Sequence, residues 1–155
     1  DRFIKYHPGN KDIAYAYYMK GLCYYEQIVG VEKDQDNTRK AEEAFRQVIV
    51  RFPDTDYAKD ARLKMDLIAD HLAGQEMEVG RYYLKRQNYL SALNRFSEVV
   101  NHYQTTEQIE EALYRQVEIY KILGLQKESD DALKVLGHNY PDSKWYKDAL
   151  KLSKK

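Results

Sequence analysis

One cysteine, three prolines and seven glycines are all that 155 residues hold, and 25 cationic side chains cancel 25 acidic ones. Each scarcity excludes something. With Cys23 alone, no internal disulfide, CxxC pair or multi-cysteine zinc site can form. Balanced charge supplies no global field to recruit nucleic acid or an acidic membrane. No apolar run approaches the ~20 residues that cross a bilayer. So few prolines and glycines leave long stretches free of helix breakers.

Catalytic signatures are missing too. His7, His71, His102 and His138 are scattered, outside HExxH or any other metal-ligand spacing, and read as surface or loop histidines. No glycine-rich phosphate loop and no GxSxG elbow occurs. "DQDN" at 34–37 has the start of a calcium loop without its glycine or terminal glutamate, and reads as a polar loop. Adjacent carboxylates such as Glu42–Glu43 and Asp130–Asp131 point to different helix azimuths and look like solvated faces. Cys23 reads as a small buried hydrophobe rather than a reactive thiol. These absences argue against an enzyme, and no cofactor is expected.

What is present is helical periodicity. "NTRKAEEAFRQVIVRF" places Ala41, Ala44, Phe45, Val48, Ile49 and Phe52 at i, i+3, i+4 spacing, and "YLSALNRFSEVVNHY" repeats the stripe. No segment alternates cleanly as a strand would, so the chain is expected to be all-α. "RFPDTDY" at 51–57 and "NYPDSKW" at 139–145 punctuate it: proline stops one helix and Asp, Ser or Thr caps the next. "HYQTTEQ" takes the same place with Gln104 for proline, and Thr105 and Gln108 there have capping-box spacing.

Counting back from these turns exposes a repeat. Ala41 and Phe45 lie twelve and eight residues before Pro53; Ala92 and Phe96 lie twelve and eight before Gln104. Gly80 and Tyr83 precede Gln104 by 24 and 21, the tetratricopeptide spacing of Gly, Tyr, Ala, aromatic and Pro. Gly21 and Tyr24 keep the same step in the first unit, displaced by an enlarged loop expected at 28–37. The last unit keeps Tyr120, Leu133 and Pro141 but has Val117 and Ser129 where Gly and Ala belong. Gly80 costs its helix about 1 kcal/mol relative to alanine. Close approach of a partner helix, with Ala92 as the matching small surface and Tyr83 and Phe96 as filling, is the expected return.

Pro53 and Gln104 stand 51 residues apart, one and a half periods, with no proline between Tyr57 and Gln87. One long helix over about 56–87 accounts for this. The whole chain, 1–155, then reads as one fragment of a repeat array. Residues 1–9 end a preceding repeat, 10–55 hold the repeat with the enlarged loop, 56–106 the repeat with the extended first helix, and 107–155 a degenerate C-terminal repeat. The opening "DRFIKYHPG" reads as the tail of a helix and a turn, so the chain is expected to begin inside a larger protein.

Two surface features have two readings each. The tyrosine doublets 17–18, 24–25 and 82–83 either pack with both members or turn one outward as an interface anchor. Arg81, Lys85, Arg86 and Arg95 form a local basic set, either a solvated face or an anchor for an acidic protein partner. Nucleic acid is disfavoured for want of an extended basic stripe.

Taken together, "MKGLCYY" with its following loop, "AEEAFRQVIVRFPDTDYAKDA", the uninterrupted run into "EVGRYYLKRQNYLSALNRF" and the closing "NYPDSKW" resemble the BamD-type outer-membrane assembly lipoproteins of Gram-negative bacteria. The resemblance covers the whole chain and corresponds to the C-terminal two-thirds of such a protein. It implies an all-helical scaffold at the periplasmic face of the outer membrane. The anchor would be an N-terminal lipidated cysteine, which this chain lacks and which Cys23 is not. It implies as partners the periplasmic POTRA region of a BamA-like barrel component, accessory assembly lipoproteins and unfolded outer-membrane proteins. Carried over by position, Arg95 is the candidate for a salt bridge to the barrel component, with Arg86, Gln87, Tyr89 and Asn94 around it. A periplasmic envelope protein of the YbgF type and a generic tetratricopeptide peptide-binding scaffold are the alternatives, and the long step between Pro53 and Gln104 disfavours the former.

Overall fold

The computed structural model describes residues 12–28 and 35–154, with the side chains at 35 and 36 left aside. Seven helices follow one another among them: α1 (Ile13–Ile28), α2 (Gln35–Arg51), α3 (Asp56–Lys85), α4 (Tyr89–His102), α5 (Ile109–Ile122), α6 (Gln126–Asn139) and α7 (Lys144–Ser153). They pack as successive antiparallel hairpins, an all-α array of tetratricopeptide type. No helix among the described residues is long and apolar enough to cross a membrane.

The three turns expected from punctuation share one construction. Backbone N–H groups of Thr55, Thr106 and Ser143 donate to the carbonyls of Phe52, Tyr103 and Tyr140, at 3.2, 3.2 and 3.1 Å. An aromatic residue followed three places later by Thr or Ser therefore defines the turn, whether proline or Gln104 stands between. Thr55 then accepts the N–H of Ala58 through its hydroxyl, and Ser143 that of Trp145, each satisfying an orphan donor of the first helical turn. The capping box expected from Thr105 and Gln108 does not form. Thr106 is the buried member, its hydroxyl donating to the Tyr103 carbonyl at 2.8 Å, and Gln108 caps α5 without a side-chain bond.

Two further boundaries differ from expectation. The long helix has 30 residues, about 45 Å of rise, but stops at Lys85 rather than 87. Gln87 adopts φ 62°, and the N–H groups of Asn88 and Gln87 return to the carbonyls of Tyr83 and Leu84, a Schellman ending. The enlarged loop is shorter at its far end, because 35–37 already belong to α2; residues 29–34, and the turn near His7, lie outside the described residues. Cys23 is exposed, not buried, because α1 turns it away from the face that carries Gly21.

The chain forms two compact units, Asp1–Ile68 and Ala69–Lys155. In the first, Ile13, Ala14, Ala41, Ala44, Phe45, Val48, Ala58 and Ala61 are buried. Gly21 sits beneath Phe45: a Cβ there would stand 2.5 Å from the ring. Tyr18 packs on Phe45 and Tyr57 and donates its hydroxyl to Asp60. In the second unit, Ala73, Met77, Ala92, Phe96, Val99, Ala112 and Ile119 form one core cluster, with Tyr83 packed against it. Ile109, Leu113, Val117, Ala132, Leu136 and Ala149 form another, and Val100 packs against both. The substituted repeat positions of the last hairpin meet directly, the buried Ser129 hydroxyl donating to the Val117 carbonyl at 3.0 Å.

Candidate functional site

The hairpin of α3 and α4 carries every residue singled out for partner binding. Its register is set where Gly80 meets Phe96, since a Cβ on the glycine would lie 2.7 Å from the ring. With that contact fixed, Asn94 and Arg95, just before Phe96, are exposed. Both line a cleft of about 450 Å³ with Glu76, Tyr83, Ser91 and Glu98. Arg86 and Gln87 occupy the Schellman turn and are exposed, and half-buried Tyr89 opens α4 and packs on the core. The five candidates thus fall into two groups: Asn94 and Arg95 in the cleft wall, and Arg86, Gln87 and Tyr89 at the hairpin end.

The members of the basic set have different partners. Arg81 is committed to Glu111, its Nε and Nη2 donating to the two carboxylate oxygens at 3.0 and 2.9 Å. Arg115 donates to the same carboxylate at 3.2 Å and to Glu118 at 3.1 Å. Burial is the largest single influence on Glu111 and pushes its pKa up, but the hydrogen bonds and charges of Arg81 and Arg115 together outweigh it. The carboxyl is therefore held below the usual carboxylate range. Arg86 stacks over the Tyr82 ring, 4.6 Å from its centroid. Lys85 is exposed.

Arg95 differs from Arg81. Its Nη1 alone donates, to the Glu76 oxygens at 3.3 and 3.4 Å, longer than the 2.7–2.9 Å of a strong charge-assisted bond. Its side chain is 45% exposed, that of Glu76 only 23%. Glu76 and Glu111 were not singled out from sequence. Nineteen and thirty residues separate them from their arginines, spacings that no single helix makes adjacent, so only the folded hairpins reveal the pairs. Of the tyrosine doublets only 82–83 divides, Tyr82 half exposed and Tyr83 packed on the core, while Tyr17, Tyr18, Tyr24 and Tyr25 are all half-buried.

A family model described as "Outer membrane lipoprotein", YfiO, matches residues 1–136. The chain belongs to the YfiO family. Among its relatives, the outer membrane protein assembly factor BamD of Rickettsia prowazekii (strain Madrid E) is 54% identical over 152 residues, covering 98% of this chain and 61% of that protein. The BamD protein of Caulobacter vibrioides is 49% identical over 152 residues, 98% of this chain and 50% of its own length. That of Neisseria meningitidis serogroup B is 34% identical over 157 residues, 95% of this chain and 59% of its own. The YfiO-family chain therefore spans about half to three-fifths of the length of these curated relatives. Their shared name is that of an assembly factor, not of an enzyme.

Proposed function

We propose that this chain is a non-catalytic scaffold of the outer-membrane β-barrel assembly machinery and docks on the POTRA region of the barrel component. The observation that carries the reading is Arg95: exposed, loosely held, and set in a cleft of polar side chains. The BamD relatives supply the context, and residues 1–155 act as one array fragment of a longer scaffold. Accessory lipoproteins and unfolded outer-membrane proteins are further partners, and the work is done at the periplasmic face, reached through an N-terminal lipid anchor. Neither nucleic acid nor a cofactor takes part.

Arg95 forms the salt bridge to the barrel component, with Asn94 beside it and Arg86, Gln87 and Tyr89 at the hairpin end as surrounding contacts. Reversing its charge, Arg95→Glu, removes the bridge and adds repulsion. Binding to the purified POTRA region is expected to fall by about tenfold or more in a calorimetric titration. Unchanged binding by a folded variant counts against the reading.

A further inference from the structure

Arginine has two edges suited to a carboxylate, and this protein shows one used and one unused. Arg81 spends its Nε–Nη2 edge on both oxygens of Glu111. Arg95 has the opposite arrangement. Glu76 takes only Nη1, and the Nε–Nη2 edge has no partner among the described residues. Ser91, Asn94 and Tyr83 line the same cleft.

Glu76 is well placed to orient that guanidinium. It lies one helical turn before Gly80, on the part of α3 locked against α4 by Phe96, so its carboxylate stands on a rigid element. Arginine loses rotamer freedom on binding, and a preset side chain has less to lose. The contact is also long enough to hold the arginine without satisfying it. We propose that Glu76 is a positioning residue: it grips Nη1 of Arg95 and leaves the Nε–Nη2 edge to receive a carboxylate side chain of a protein partner.

The cleft also restricts what that partner segment contains. Glu76 and Glu98 put two carboxylates into the lining of the cleft with Arg95, Glu98 lying 3.7 Å from His102 Nε2. A segment bearing a carboxylate beside a cation matches this pattern, whereas a run of acids meets repulsion. The inference rests on the docking reading above, and its test separates the two.

The experiment is a double-mutant cycle on the full-length protein, titrated with the purified POTRA region and using Glu76→Gln, Arg95→Ala and their combination. Glu76→Gln is expected to weaken binding about three- to tenfold when Arg95 is present and to have no effect when it is absent. Equal or tighter binding by Glu76→Gln overturns the inference, making Glu76 a bystander or a competitor, while the docking reading survives if Arg95→Ala still weakens binding. An equal loss in both backgrounds also overturns it, assigning Glu76 a structural role. If Arg95→Ala leaves binding unchanged, both readings fall. Should Glu76→Gln unfold, Glu76→Asp keeps the charge on a shorter arm and is expected to retain the coupling in part; complete loss of coupling despite a native thermal transition overturns the inference.

Discussion

The Phe96 ring lies so close over Gly80 that any β-carbon there would stand 2.7 Å from ring carbon Cε1, inside normal contact distance. Phe96 is fully buried. The glycine therefore sets how closely α3 and α4 approach, and with it the cleft that contains Arg95.

This contact predicts an order among three glycines. Overpacking costs roughly 1–3 kcal/mol, against about 1 kcal/mol gained in helix propensity. Gly80→Ala and Gly21→Ala, each facing a fully buried phenylalanine, are expected to lose up to about 2 kcal/mol in urea unfolding. Gly137→Ala meets Tyr146 at 2.6 Å, but that ring is half-buried and can move. Its change is expected to stay within about 0.5 kcal/mol.

A second prediction concerns the turn beside the candidate site. Gln87 holds φ 62° in a Schellman ending, and Gly124 holds φ 80° in the same ending 37 residues later, where Leu125 returns to the Tyr120 carbonyl. A side chain in the left-handed region costs roughly 1–2 kcal/mol, partly offset by the 0.5–1 kcal/mol that glycine loses in ordering. Gln87→Gly is therefore expected to stabilise the protein by up to about 1 kcal/mol. Gly124→Ala is expected to destabilise it by about 1 kcal/mol. Thermal unfolding followed by circular dichroism checks both.

Acid provides a third. Glu111 has a folded pKa below its unfolded one, so its contribution is complete above the unfolded value of about 4.3 and is lost as pH falls through the folded value. Glu111→Gln is expected to be less stable than wild type at pH 7, since Arg81 and Arg115 lose a shared carboxylate. The difference should narrow as pH falls from about 5 towards 3. A constant difference in urea midpoint across that range would show that the charge is immaterial.

The sequence alone determined the secondary structure and its punctuation. Apolar spacing marks α2 and α4, the two aromatic-Pro-Asp-Thr/Ser cores and the matching step at Gln104 mark three turns, and the missing proline between Tyr57 and Gln87 announces the 30-residue helix. These are local properties, set by periodicity and by which residues break or cap a helix. Helix ends were less legible, since Gln87 adopts a conformation that glycine usually announces. Only the tertiary structure decided how the charges pair. Arg81 is consumed by Glu111, Arg95 is lightly held by Glu76, and Arg86 lies on Tyr82. The first two pairs join residues on different helices, so packing rather than spacing along the chain distinguishes the arginine with an uncommitted edge from the one without.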